Sequence, residues 1–177
     1  MISRLGSVVV IAALALAPAA TAQEGGRLEV GAFARSMNLD NSLGMTNSFG
    51  VGGSVSFYVR PSLAIELDVS RVSADYATGS SASYTPLRLR AVYSASAGSR
   101  IDALVGGGLV RNAYGDPFDA SDTGLSTLLG LRYRLSERLS LRLGADADVM
   151  FHASSDSPFD FYTGNWGIHL GVSVRGG

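Results

Sequence analysis

The chain has 177 residues, of which 46% are hydrophobic and 16% are charged, and its formal net charge is −1. It contains no cysteine, which excludes disulfides. Its near-neutral charge excludes the strongly basic surface that nucleic-acid binding requires. The charged fraction is well below the ~25% of typical soluble domains, so the chain has little material for a wetted surface.

The first predicted element is an export signal. Arg4 supplies a positive charge, an uncharged apolar run follows from Val8 to Ala17, and Ala20-Thr21-Ala22 fits the rule for a cleavage site. The apolar run is shorter than the ~20 residues that a membrane-spanning helix needs. We therefore predict a signal peptide over residues 1–22 and a single barrel domain over residues 23–177. The alternative is an N-terminal anchor that stays attached.

The rest of the chain alternates between apolar and polar residues with a period of two, which is typical of β-strands. In the clearest segment, residues 139–151, the odd positions are all apolar and the even positions are polar or small apart from Met150. Phe33 and Arg71 break the alternation, and the glycines at 106–108 allow either face of their strand to point inward. Eight strands are predicted, at 27–39, 47–60, 62–77, 83–96, 99–113, 123–135, 138–151 and 161–175.

The connections between these strands alternate in length. Short turns follow the even-numbered strands, and longer polar segments follow the odd-numbered strands near 40–46, 78–82, 114–122 and 152–160. Short turns at one end and long loops at the other are typical of outer-membrane barrels. In hydrocarbon no sheet edge can stay unpaired, so the sheet must close. The predicted fold class is all-β, an eight-stranded antiparallel up-and-down transmembrane β-barrel.

The orientation of the two faces distinguishes a membrane barrel from a soluble one, because a soluble barrel also alternates, with its apolar face inside. The polar face is rich in glycine and serine, which suits a narrow lumen. The apolar face carries no charge in the strand centres, and Arg71 lies close to a long loop. Aromatic residues of the apolar face lie near the strand ends, as two membrane–water boundaries would select. These predicted aromatic belts consist of Phe49, Phe57, Tyr93, Tyr133, Phe151 and Trp166.

Charged residues on the polar face carry both signs in similar numbers, and buried charges must be paired. Counting outward from a turn near residue 79 places Asp68 opposite Arg90. We interpret these residues as a salt-bridge network that plugs the barrel, and the alternative is a narrow ion path or a network that opens. The predicted lumen charge network consists of Glu29, Arg35, Glu66, Asp68, Arg88, Arg90, Asp102, Arg132, Arg134, Arg142, Asp146 and Asp148.

Several stretches resemble OmpA-like outer-membrane barrels. Asn47–Asp68 is similar to the second and third strands of that family, with a glycine-rich strand, a proline-containing turn and an inward glutamate. Thr85–Arg90 and Gly106–Gly108 are similar to the fourth and fifth strands, and Trp166–Val174 to the last. In departure from the family, we expect no peptidoglycan-binding domain, and the last residues, Val174-Arg175-Gly176-Gly177, include no aromatic residue. The resemblance implies location in the cell outer membrane after export. Outer-membrane lipid, lipopolysaccharide and the outer-membrane assembly machinery are the expected partners.

An enzyme hypothesis rests on His152-Ala153-Ser154, because a histidine can activate a serine if a carboxylate orients it. Eight-stranded lipid A deacylases use such a pair with a downstream glutamate, whereas here the downstream carboxylates are Asp156 and Asp160. Catalysis is therefore not expected.

Metal binding is not expected either. Asp116, Asp119 and Asp122 could gather a cation or bridge lipopolysaccharide through a divalent metal, but they lack the spacing of an EF-hand, and a solvated loop is the favoured interpretation. His169 has no second histidine or cysteine at ligand spacing and should hydrogen-bond within the lumen. The sequence thus predicts a non-enzymatic barrel without a cofactor, serving an envelope-structural or surface-interaction role. The alternatives are a narrow porin-like channel, a lipid A-modifying enzyme and an exported soluble barrel that binds an apolar ligand.

Overall fold

The computed structural model describes residues 27–38, 48–75, 81–115, 120–152 and 164–176. Each strand in these ranges pairs antiparallel with its neighbours in the chain, and the first pairs with the last, so the sheet is a closed barrel. The predicted eight-stranded up-and-down barrel is therefore confirmed. The strands are β1 (Leu28–Asn38), β2 (Ser48–Arg60), β3 (Leu63–Asp75), β4 (Ser81–Ser96), β5 (Ile101–Tyr114), β6 (Ala120–Arg134), β7 (Leu139–His152) and β8 (Asn165–Arg175).

The strand bounds agree with the predicted ones to within four residues. The earlier start of β6, at Ala120, arises because this strand pairs with β5 as far as Tyr114, beyond the region where alternation is visible in the sequence. The predicted signal peptide and most of the predicted long connections lie outside the described residues. Within the described part of the chain, no helix is long and apolar enough to cross a membrane.

The strands are strongly staggered around the barrel. Starting at Leu28 on β1, we can move to its paired residue on β2, then to the residue paired with that one on β3, and so on around the barrel. This path returns to β1 at Asn38, ten residues farther along the strand. A stagger of this kind tilts the strands by about 35–45° from the barrel axis. At each step from β1 towards β8, the paired residue therefore lies farther along the barrel axis by the length of roughly one and a quarter residues, towards the end of the barrel where β1 ends. We call the end with the short turns the turn end and the opposite end the loop end.

Most side chains that point outward are apolar, and most of those that point into the lumen are polar, charged or glycine. Phe49 and Leu129 are each 64% exposed, whereas Arg35 and Arg88 are fully buried. A soluble barrel would have the opposite arrangement. The ambiguity in β5 is resolved because Leu104 and Val110 are buried, so the even positions of this strand face the lumen.

Glycines make room for the large side chains inside the barrel. Directly paired positions on neighbouring strands share the same side of the sheet, so a large lumen residue needs a small partner. Phe33, which breaks the alternation, is buried between glycines on both neighbouring strands. The lumen pairs of this kind include Arg35 with Gly50, Phe33 with Gly52 and Gly171, Arg90 with Gly108, Arg142 with Gly171, and His169 with Gly144.

Candidate functional site: the lumen charge network

Eight charged side chains meet in the middle of the lumen, and we call them the central cluster. They come from β1, β3, β4 and β7, so the contacts cross the barrel instead of following one hairpin. Each is at most 11% exposed in its side chain. Four carboxylates face four guanidinium groups, so the formal charges cancel. The members are Glu66, Asp68, Asp146, Asp148, Arg35, Arg88, Arg90 and Arg142.

Asp68 and Asp146 each accept hydrogen bonds from several arginines. Arg35 donates to Asp68 at 3.0 and 3.3 Å and to Asp146 at 3.0 Å. Arg90 contacts both carboxylates as well, with Asp68 at 3.3 Å. His169 Nδ1 lies 2.8 Å from Asp146 Oδ2, which agrees with its predicted hydrogen-bonding role in the lumen. These two carboxylates therefore join the arginines of β1 and β4 into one network.

Of the other two carboxylates, Asp148 binds one arginine and Glu66 binds two. Asp148 accepts two hydrogen bonds from Arg88, at 2.6 and 3.1 Å. Glu66 accepts from Arg90 at 2.9 Å and from both terminal nitrogens of Arg142. Bidentate contacts of this kind fix the orientation of both groups as well as neutralising their charge.

A second group of charges lies nearer the turn end. Arg132 donates to Asp102 at 2.9 and 3.1 Å and to Glu29 at 3.2 Å, and Tyr58 donates to Glu29 at 2.7 Å. Arg134, predicted to face the lumen, lies at the rim, where its side chain is 42% exposed and 3.4 Å from Asp102. This group continues the charge pairing to the turn end of the barrel.

The described part of the lumen widens at the turn end. A cavity of about 250 Å³ lies there and is lined by both signs of charge, including Glu29, Asp102 and Arg132. The two cavities found farther in measure about 10 Å³ each, which is room for about one water molecule. Side chains therefore fill the described lumen at the level of the central cluster.

Apolar and aromatic side chains also occupy the lumen at two places. A buried apolar cluster is formed by Val92, Leu104 and Leu128 on β4, β5 and β6. Towards the loop end the Tyr84 and Tyr114 rings lie 5.5 Å apart and are at most 3% exposed. Strand parity identifies such residues as inward-facing, but the strand register decides that they meet, with Tyr84 paired directly to Tyr114.

The predicted pairing of Asp68 with Arg90 is wrong in register. Asp68 lies directly opposite Arg88, and Glu66 lies opposite Arg90. The β3–β4 pairing continues to Asp75 and Ser81, so the hairpin is centred on residue 78 instead of 79. Moving the centre of a hairpin by one residue shifts the pairing by two. Arg90 still reaches Asp68, but diagonally.

The six predicted belt aromatics all lie on the outward face and are 40–64% exposed. Phe57 and Phe49 mark the two levels on β2, eight residues apart. At ~3.3 Å per residue and a tilt of ~40°, this corresponds to about 20 Å along the barrel axis. The apolar band of an outer-membrane barrel is ~25 Å tall. The spacing therefore fits two girdles at the edges of a bilayer.

The residues of the enzyme and metal hypotheses fall largely outside the described chain. Ser154, Asp116 and Asp119 lie outside the described residues. His152 is the last described residue of β7, and the described side chains do not include its own. Asp122 is described and is buried. Among the described side chains, no group of histidine, aspartate and glutamate is arranged to hold a metal ion.

A closed eight-stranded barrel with an apolar exterior and an ion-paired lumen defines the class of small outer-membrane barrels. The sequence model of the outer membrane protein beta-barrel domain matches residues 6–175, so the chain belongs to this family. The predicted resemblance is thereby confirmed. The chain has no significant match among curated protein sequences.

Solved structures share the fold at low sequence identity. Neisserial surface protein A has a TM-score of 0.71 and 18% identity, covering 86% of this chain and 99% of that chain. The N-terminal β-barrel domain of Pseudomonas aeruginosa OprF has a TM-score of 0.56 and 17% identity, covering 86% and 99%. OprG of Pseudomonas aeruginosa has a TM-score of 0.53 and 14% identity, covering 87% and 95%. At these identities the comparison establishes a common fold alone.

Proposed function

We propose that this protein is a non-enzymatic barrel of the cell outer membrane, exported by its signal peptide, with a closed lumen and an envelope-structural or surface-interaction role. Outer-membrane lipid and lipopolysaccharide surround it, and the outer-membrane assembly machinery inserts it. The observation that carries the proposal is the central cluster, in which four buried carboxylates are matched by four guanidinium groups.

The charge balance supports a structural role for the lumen. An unpaired buried ion costs several kcal/mol, so each arginine holds its carboxylate partners in place. Moving an ion through the barrel would require several of these contacts to open together, because Asp68 and Asp146 each bind more than one arginine. A plug of this kind stabilises the barrel and prevents leakage.

A narrow porin-like channel is the second candidate, and the cavity of about 250 Å³ at the turn end favours it. Planar-bilayer recording separates the two functions. We expect the purified, refolded protein to give no stable conductance in bilayers where a general porin conducts. Frequent, long-lived conductance steps from the pure protein would contradict the closed lumen and establish the channel.

Membrane location is tested by fractionation of expressing cells. We expect the protein in the Sarkosyl-insoluble membrane fraction, with a gel mobility that changes on boiling, because a closed barrel resists detergent until it is heated. A detergent-free soluble monomer would contradict the proposal and support the exported soluble barrel instead. Processing at residue 22 is checked in the same sample by N-terminal sequencing, with Gln23 expected as the first residue.

A further inference from the structure

Two arginines interrupt the uncharged central part of the described outer surface. Away from the strand ends, Arg71 on β3 and Arg111 on β5 are the charged residues among the described side chains that point outward. Both side chains are exposed. Arg111 donates to Ser121 Oγ at 3.3 Å, and Arg71 has no ion-pair partner in the described part of the chain. Charges on the lipid-facing side of a barrel are costly at the bilayer centre and much less so near its boundaries.

The two arginines lie at the same level of the barrel. Leu87 on β4 pairs with Val69 on one side and with Arg111 on the other. Arg71 lies two residues nearer the loop end than Val69. Because the strands are tilted, Arg111, which is two strands away from Val69, also lies nearer the loop end than Val69 by about the length of two residues. The two backbone positions are therefore separated by only two strands, a gap of about 12 Å.

This level is the boundary between the apolar and polar parts of the outer surface. Below the arginines lie Val69, Leu87 and Leu109, and beyond them lie Ser73 and Thr85 on the same faces. Phe49, an outer belt aromatic, pairs with Ser73 and so lies at nearly the same level. Two guanidinium groups thus project from the loop-end edge of the apolar band, where lipid headgroups meet the barrel in the proposed orientation.

We propose that Arg71 and Arg111 form a binding site for the phosphate groups of lipid A, the phosphorylated glycolipid anchor of lipopolysaccharide in the outer leaflet. The proposal rests on the membrane orientation given above. The planar fork of arginine binds phosphate through two parallel hydrogen bonds. Its apolar stem can lie along Leu87 and Leu109 while the charge reaches the headgroup. Among the described residues Arg111 contacts a serine hydroxyl and no carboxylate, which leaves its charge to a lipid phosphate.

The test is native mass spectrometry of the detergent-solubilised protein with lipid A and with dephosphorylated lipid A. Each positive charge near an anionic lipid surface contributes ~1 kcal/mol, which is about fivefold in affinity. We expect Arg71→Gln and Arg111→Gln each to weaken lipid A binding about fivefold, and the double variant about 25-fold. Dephosphorylated lipid A should bind the wild-type protein no better than it binds the double variant.

Arg60→Gln is the matched control, because Arg60 is exposed at the turn end of β2. It makes the same charge change at the opposite end of the barrel and should leave lipid A binding unchanged. Equal binding by the double variant and the wild type would overturn the proposed site, and so would an equal loss in Arg60→Gln. The boiling-dependent gel shift of each variant shows separately whether the membrane barrel forms, so failure of the lipid site leaves the proposed function standing.

Discussion

Replacing Arg88 with methionine is expected to destabilise the barrel by about 3–5 kcal/mol, because it leaves a buried carboxylate unpaired. Arg88 is fully buried and binds Asp148 at 2.6 and 3.1 Å. Among the described residues, Asp148 makes no salt bridge to any other side chain. Asp68, the second partner of Arg88 at 3.3 Å, keeps two further arginines. The loss is measured by urea unfolding in lipid vesicles, followed by fluorescence of the single tryptophan.

The double variant Arg88→Met/Asp148→Leu distinguishes charge pairing from simple packing. Removing both partners leaves no uncompensated charge at this position, so we expect the double variant to be more stable than Arg88→Met by about 2 kcal/mol or more. Arg60→Met, at an exposed position, should change the unfolding free energy by less than ~0.5 kcal/mol. Additive losses in the double variant would show that the ion pair is not the reason for the effect.

Gly108→Ala is expected to destabilise the barrel by about 3 kcal/mol or to prevent its folding, because a methyl group at this position meets backbone. An ideal Cβ on Gly108 would lie 2.0 Å from the Leu89 carbonyl oxygen and 2.7 Å from the Arg90 Cα. Neither atom can move without separating β4 from β5. Gly108 is also paired directly with Arg90, whose side chain is buried in the lumen.

Gly107→Ala provides a control one residue away. Gly107 faces outward, and the nearest atom to its ideal Cβ is the Ser126 carbonyl oxygen at 4.0 Å. Its substitution should be neutral or slightly stabilising, because alanine loses less backbone freedom on folding. Folding yield and urea midpoint of the two variants are compared in the same vesicles. If both alanines had the same effect, general strand propensity would explain the result and the close approach would not.

These predictions share one physical basis. The narrow barrel places large charged groups against glycine on the neighbouring strand, and their charges cancel across the lumen. Replacing a lumen glycine with a larger residue leaves the charged side chain beside it without space, and removing one charge leaves the opposite charge buried and unpaired. The outward side chains are exposed, so we expect their substitution by other apolar residues to be tolerated.

The sequence by itself determined the strand number, the up-and-down order and the face to which most side chains belong. These properties depend on a period of two, which is a local property of extended backbone. The alternation identified Glu29, Glu66 and Asp146 as inward residues without any knowledge of their partners. It also singled out Phe33 and Arg71 as exceptions, which proved to be a lumen aromatic and an exposed outward charge.

Only the tertiary structure decided which inward residues meet. The contact of Arg35 with Asp146 joins residues on β1 and β7, and the contact of Arg132 with Glu29 joins β6 and β1. Such contacts depend on the stagger at closure and on the centre of each hairpin, and a shift of one residue at a turn moved Asp68 from Arg90 to Arg88. Alternation carries no information on either quantity, because every residue keeps its face when a hairpin shifts by two.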